Sequence, residues 1–175
     1  MSKRKIELKN YIRNIPDFPK HGILFRDITT LLKDKKAFKL AVDALVNKYK
    51  RKKIDVVVAV EARGFILGGA VAHKLGVGFV PVRKKGKLPA KTNSVTYALE
   101  YGTDTLEMHH DAIKPNDKVL IVDDLLATGG TVKAVTDLVR QFQGKIAGIA
   151  FLIELTDLKG KDKLKGYPIY SLIKY

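Results

Sequence analysis

Ile54-Asp-Val-Val-Val-Ala-Val60 narrows the fold more than any other stretch of the chain. It is short, apolar and rich in β-branched residues, and it lacks the alternation of a strand with one wet face. A strand of this kind has both faces covered, as in a parallel sheet packed between helices. Gly78–Val82, Lys118–Val122, Lys145–Leu155 and the tail Tyr167–Tyr175 after Pro168 read as further strands. Between them lie helical stretches. Lys35–Arg51 carries Phe38, Ala41, Val42 and Leu45 at helical spacing, and Gly64–Leu75 and Gly129–Phe142 follow later strands. Strands alternating with helices predict an α/β fold, a mostly parallel twisted sheet flanked by helices. Ligands of such sheets bind beyond the carboxyl ends of the strands. The loops after Val60, Val82 and Val122 are therefore expected along one edge.

The remaining segments read differently. Lys5–Ile12 predicts a short amphipathic helix, and Pro16, Pro19 and Gly22 break the chain into a loop. Arg83–Ser94 is Lys-rich and aperiodic with Gly86 and Pro89, so a mobile loop is expected, followed by a strand pair, Val95–Glu100 and Thr105–Met108, around Gly102. The 175 residues fit one domain spanning 1–175, and 46% apolar content argues against disorder. With no cysteine, disulfide scaffolds and thiolate metal sites are excluded. Met1–Asn10 is charged with no apolar run behind it, unlike a signal peptide, and no stretch reaches the roughly 18 apolar residues of a membrane span. A soluble cytoplasmic protein without a membrane partner is expected. The net charge is +15, of which +11 lies between Met1 and Lys53. No basic run is interleaved with aromatics for base stacking, so a Lys-rich surface is favoured over nucleic-acid binding. The same charge suits a small polyanionic substrate.

Chemistry concentrates in Val119-Leu-Ile-Val-Asp-Asp-Leu-Leu-Ala-Thr-Gly-Gly-Thr131. An apolar strand ends in two carboxylates, and a loop of small residues leads into a helix. Gly129 and Gly130 let the backbone approach a ligand closely, and their amides, with those of Thr128 and Thr131, form a phosphate cradle at a helix N-terminus. Asp123 and Asp124 would repel a bare triphosphate. They suit two vicinal hydroxyls, or a Mg²⁺ held through water. A ribose carrying a phosphate satisfies both halves. No Lys follows the glycines as in an ATP-binding loop, and no Gly-x-Gly-x-x-Gly is present. The alternative is an acidic strand end with Thr128 capping the helix.

This segment resembles the phosphoribosyl pyrophosphate (PRPP) motif of type I phosphoribosyltransferases, in the form of the adenine-specific branch. The resemblance implies that Ala127–Thr131 holds the 5-phosphate and that Asp123 and Asp124 face the ribose hydroxyls. Four further segments are similar to that branch, and together they cover nearly the whole chain. Asp17-Phe-Pro-Lys-His-Gly-Ile-Leu-Phe-Arg-Asp-Ile28 resembles its N-terminal base-binding hood. That implies Phe25 stacking on adenine and backbone near Leu24–Arg26 reading the ring's edge; His21 stands where Pro is expected. The alternative is that Ile23 and Phe25 are core. Glu61-Ala-Arg-Gly64 resembles the pyrophosphate loop, in which one peptide bond is often cis. Arg63 there would meet pyrophosphate and assist catalysis, or else form a structural salt bridge to Asp123 or Asp124. In Val82-Arg-Lys-Lys-Gly-Lys-Leu-Pro89, Arg83, Lys84 and Lys87 resemble residues that meet pyrophosphate when the mobile loop closes. Tyr97-Ala-Leu-Glu-Tyr-Gly102 resembles the catalytic loop, which makes Glu100 the acid/base residue. Leu155, Leu158, Lys159 and Gly160 match a segment close to the adenine site.

The resemblance implies a Mg²⁺-dependent pentosyl transfer of purine salvage, in which adenine and PRPP give AMP and pyrophosphate, and, by analogy, a homodimer. Two rivals stay in view. A sister enzyme would use hypoxanthine, guanine or xanthine, against which Gly22–Ile28 and Tyr97–Gly102 speak. A PRPP-sensing transcriptional regulator would add a DNA-binding domain, for which a pattern starting near Lys5 leaves no room.

Overall fold

The computed structural model describes residues 7–98 and 102–175. The chain divides into two compact units, one running to Ala44 and the other from Leu45 to Tyr175.

In the first unit a 3₁₀ turn, Leu8–Tyr11, replaces the expected amphipathic helix over its described part. Strands β1 (Arg13–Ile15) and β2 (Phe25–Asp27) pair antiparallel, with Arg13 opposite Asp27 and Ile15 opposite Phe25. The loop between them holds the expected Pro16–Gly22 break, with a cis Phe18–Pro19 bond. Asp17 turns it by accepting the Gly22 amide at 2.7 Å. Neither three-residue strand was expected, nor was helix α1 (Thr29–Lys33). Elements this short carry too few residues to show a period. They are held instead by Asp27, whose carboxylate accepts from the Thr29 amide at 2.8 Å and from the Arg13 guanidinium at 2.9 and 2.5 Å. Asp34 accepts from the Lys36 and Ala37 amides, capping helix α2 (Lys35–Tyr49), which ends two residues short of the expected Arg51.

The second unit is built on seven strands in the order β5-β6-β4-β3-β7-β8-β9. These are β3 (Val56–Val60), β4 (Gly78–Lys84), β5 (Thr92–Ala98), β6 (Thr103–His109), β7 (Lys118–Leu126), β8 (Lys145–Glu154) and β9 (Ile169–Lys174). The strands from β4 to β9 run parallel, and the β5–β6 hairpin adds to the β4 edge antiparallel. All five residues of β3 are buried, as its composition requires. Helices α3 (Arg63–Leu75) and α4 (Gly130–Gln141) cover opposite faces. Val56, Val58 and Val60 join Val132, Val135 and Leu138 of α4 in one core, while Ala59 points to α3. There α3 lies so close that a β-carbon on Gly68 would sit 2.6 Å from that of Ala59. Among the described residues no helix is long and apolar enough to cross a membrane.

From β3 the chain moves outward through β4, then returns past β3 to continue through β7 and β8. The strand order therefore reverses between β3 and β7, and a crevice opens there at the carboxyl ends. Several strands outrun their expected limits. β7 continues through both aspartates to Leu126, because β8 keeps pairing with it (Leu125 with Ile153, Leu126 with Glu154) after β3 has stopped opposite Val122. Arg83 and Lys84 are strand residues rather than loop, paired with Glu107 and Leu106, and the connection to β5 is only residues 85–91.

The Asp27 carboxyl sits at about 2 rather than the ordinary 3.8, first because the Thr29 amide donates to it and then through Arg13, against the opposing effect of burial. A depressed carboxyl contributes stability above its unfolded value and loses it as pH falls through the folded one. Asp27→Asn should therefore lower the thermal midpoint at neutral pH, with the deficit shrinking from pH 3.8 toward about 2. A deficit independent of pH in circular-dichroism melts would exclude this role for the charge.

Candidate active site

The crevice is lined by what leaves β3 and β7. After Val60 the chain passes through Glu61 and Ala62, joined by a cis peptide bond, and enters α3 at Arg63. Arg63 Nε lies 2.8 Å from Asp124 Oδ2, so the expected alternative of a salt bridge to this acid is present. The Asp124 amide donates to Asp123 Oδ1 at 2.8 Å. Gly64 is fitted against the same oxygen: a β-carbon there would stand 2.7 Å from Asp123 Oδ1. Any side chain at that position would drive the acid pair out of place.

Both aspartates are buried, 8% and 6% exposed. Burial pushes the Asp123 carboxyl well up, and the neighbouring Asp124 charge pushes it further. Asp124 is raised too, by burial, although Arg63 opposes the rise. A proton on this pair is therefore favoured by burial, with Arg63 acting against it at Asp124. Such a pair can donate one hydrogen bond and accept several, which suits a diol.

Beyond Leu126 the chain turns through Ala127, Thr128 and Gly129 into α4. Gly129 takes φ 80°, ψ −1° at the N-cap, a left-handed conformation that favours glycine. No side chain caps the helix, so the Thr128 alternative does not hold and the first amides are left for a ligand. Thr131 and Gly130 adjoin the end of β5: the Tyr97 hydroxyl is 3.5 Å from Thr131 Oγ1, and a β-carbon on Gly130 would lie 3.8 Å from the Ala98 carbonyl oxygen. The motif expected to carry catalysis therefore begins beside the Gly130–Thr131 start of α4. Its Glu100 falls outside the described residues.

Glu61 has a structural role that its sequence motif does not reveal. Its carboxylate accepts Arg83 Nε at 2.9 Å and the Lys84 amide at 2.7 Å. Burial alone would raise Glu61, but the Lys84 amide and Arg83 hold it below its ordinary value. Arg83 also donates to the Lys87 carbonyl at 3.0 Å, and Lys84 Nζ pairs with Asp104 at 3.0 Å. Of the expected pyrophosphate cations, the Arg83 side chain is held by Glu61, two residues before Arg63, Lys84 Nζ turns to Asp104, and the Lys87 side chain is exposed. A carboxylate at the end of a buried strand, beside a basic strand end, was the signal available for Glu61.

Leu155 follows β8, and its amide donates to the Leu126 carbonyl at 2.9 Å, which sets it beside the turn that leads into α4. In the first unit Leu24 is 46% exposed and Ile23 45%, so Ile23 is not core. Phe25 is half-buried with its ring edge-on to Phe18 at 5.1 Å, and Arg26 is bonded to Asn14. Among the described residues no group of three His, Cys, Asp or Glu side chains is placed to hold a metal ion.

Residues 29–173 match the family model of the phosphoribosyl transferase domain. The chain is 57% identical to the adenine phosphoribosyltransferase of Halothermothrix orenii over 97% of its own length and 99% of that protein's. Its structure is similar to that of adenine phosphoribosyltransferase from Thermoanaerobacter pseudethanolicus (TM-score 0.94, 56% identity, 96% and 98% of the two chains). It is also similar to the Saccharomyces cerevisiae enzyme complexed with an imino-altritol bisphosphate and adenine (TM-score 0.89, 41% identity, 94% and 96%).

A proton that Asp123 binds more tightly in the folded than in the unfolded chain makes stability fall as pH rises between the two values. Asp123→Asn, which mimics the protonated acid, should raise the thermal midpoint of the unliganded protein by about 2–6 °C, for on the order of 1–2 kcal/mol. The gain should be larger at mildly alkaline than at mildly acidic pH. A lower midpoint at both would contradict the burial penalty.

Proposed function

This chain belongs to the adenine phosphoribosyltransferases of the phosphoribosyltransferase family, and from that premise we propose how its site performs the transfer. The reaction is adenine plus PRPP to AMP plus pyrophosphate, a step of purine salvage. The observation that carries the site assignment is the uncapped, glycine-turned N-terminus of α4 directly after two buried carboxylates.

The amides of Thr128–Thr131, with the threonine hydroxyls and the Ala127 backbone, hold the 5-phosphate, where the helix dipole favours negative charge. Asp123 and Asp124 take the ribose diol. This binding is remote from the reacting carbon, and it orients the anomeric centre for departure of pyrophosphate through an oxocarbenium-like state. Arg63 exchanges Asp124 for the leaving pyrophosphate, while Arg83, Lys84 and Lys87 add positive charge as the 85–91 connection closes and excludes water. The adenine-binding roles of Leu24, Phe25 and Arg26, and that of Leu155, are carried over from the resemblance. Glu100 handles the proton of the base.

Two acids, one already paired with Arg63, are too few to hold a bare Mg²⁺. They fit one carried mainly by PRPP oxygens and reached through water from Asp123 and Asp124. When bound, it would neutralise charge on the departing pyrophosphate. Cytoplasmic location and homodimeric assembly are proposed on family analogy.

Incubation of the protein with PRPP, Mg²⁺ and each purine base in turn, followed by nucleotide chromatography, is the direct test. AMP should form with adenine, and turnover with hypoxanthine, guanine or xanthine should be at least about 100-fold lower. Preferred formation of IMP or GMP would overturn the base assignment.

A further inference from the structure

The phosphate turn does not set its own shape. Gly129 meets Gly160 from behind: a β-carbon on Gly129 would overlap the Gly160 carbonyl oxygen, and one on Gly160 would overlap the Ala127 carbonyl oxygen and approach Leu126 Cδ1 to 2.9 Å. Gly160 is buried and does not take a left-handed φ, so the demand for glycine there is spatial rather than conformational. Its neighbour Lys159 does, at φ 51°, a conformation that costs a residue with a side chain roughly 1 kcal/mol. The backbone accepts that cost in order to bring Gly160 against the turn.

The segment that carries Gly160 is anchored at three points. At its start, the Leu155 amide donates to the Leu126 carbonyl at 2.9 Å. In its middle, Lys161 Nζ pairs at 2.8 Å with Glu154, a buried carboxylate at the last position of β8. At its end, Leu164 is fully buried in the core that α4 helps to form. Backbone bonds from Leu158 to Leu155, Lys159 to Thr156 and Asp162 to Lys159 stiffen the stretch between.

We propose that Gly160, braced by the Lys161–Glu154 pair, is a positioning residue that fixes the Ala127–Gly129 turn in its phosphate-binding shape. The proposal rests on the assignment of that turn to the 5-phosphate. The group touches no substrate; it acts by denying the turn any other path. A displacement of the loop on the order of 1 Å is enough to cost a large factor in affinity or rate.

Titration calorimetry with ribose 5-phosphate, and separately with pyrophosphate, tests this on the wild type, Gly160→Ala, Lys161→Gln and Lys161→Arg. Gly160→Ala should weaken ribose 5-phosphate binding by about tenfold or more and leave pyrophosphate binding unchanged. Lys161→Gln should weaken it in the same direction by less, and Lys161→Arg should restore it. In turnover kcat/KM for PRPP should fall by a similar factor in Gly160→Ala and recover in Lys161→Arg relative to Lys161→Gln. If the wild type itself fails to bind ribose 5-phosphate, the phosphate assignment falls and this proposal with it. If the wild type binds and a folded Gly160→Ala binds equally well, this proposal alone is overturned. Should Gly160→Ala not fold, unchanged ribose 5-phosphate affinity in Lys161→Gln overturns it.

Discussion

β3 stops at Val60 while its neighbour β7, still paired with β8, runs on to Leu126. That difference in strand length places two carboxylates in a buried position with one open side. Every other part of the site answers to it. Gly64 is small because Asp123 occupies the space a side chain would need. Arg63 enters α3 where its guanidinium meets Asp124. The crevice is a consequence of chain order, since the strands grow outward from β3 in both directions and connections must leave on opposite faces.

The charges in the site are balanced before any ligand arrives. Arg63 is held by Asp124, Arg83 by Glu61 and Lys84 by Asp104. On the proposed roles, a ligand that brings both a diol and a pyrophosphate would replace partners on both sides of the Arg63–Asp124 contact, so that neither charge is left unpaired in a buried place. The Arg63–Asp124, Arg83–Glu61 and Lys84–Asp104 pairs are the contacts that the proposed binding of a pyrophosphorylated sugar would exchange.

Much of this is legible in the residues. The doubly covered strand Val56–Val60, the parallel order and the Asp123–Thr131 turn follow from apolar runs, glycine positions and paired acids, because each is a local pattern with one physical solution. The strand ends are less legible. Asp123 and Asp124 look like terminators, yet β8 continues beside them and supplies hydrogen bonds that local propensity cannot foresee. Arg83 and Lys84 look like loop, yet they pair with β6. Glu61 reads only as part of a motif, and Gly160 only as part of a segment near the adenine site, because the contacts that matter for each are with residues distant in sequence. The short elements of the first unit were hidden by length alone.

A crystal structure of the protein soaked with AMP examines the central claim most directly. The phosphoryl group should lie on the amides of Thr128–Thr131, the two ribose hydroxyls should face Asp123 and Asp124, and Arg63 should have moved away from Asp124 only when pyrophosphate is added. A phosphoryl group bound elsewhere, or a diol turned away from the acid pair, would contradict the account.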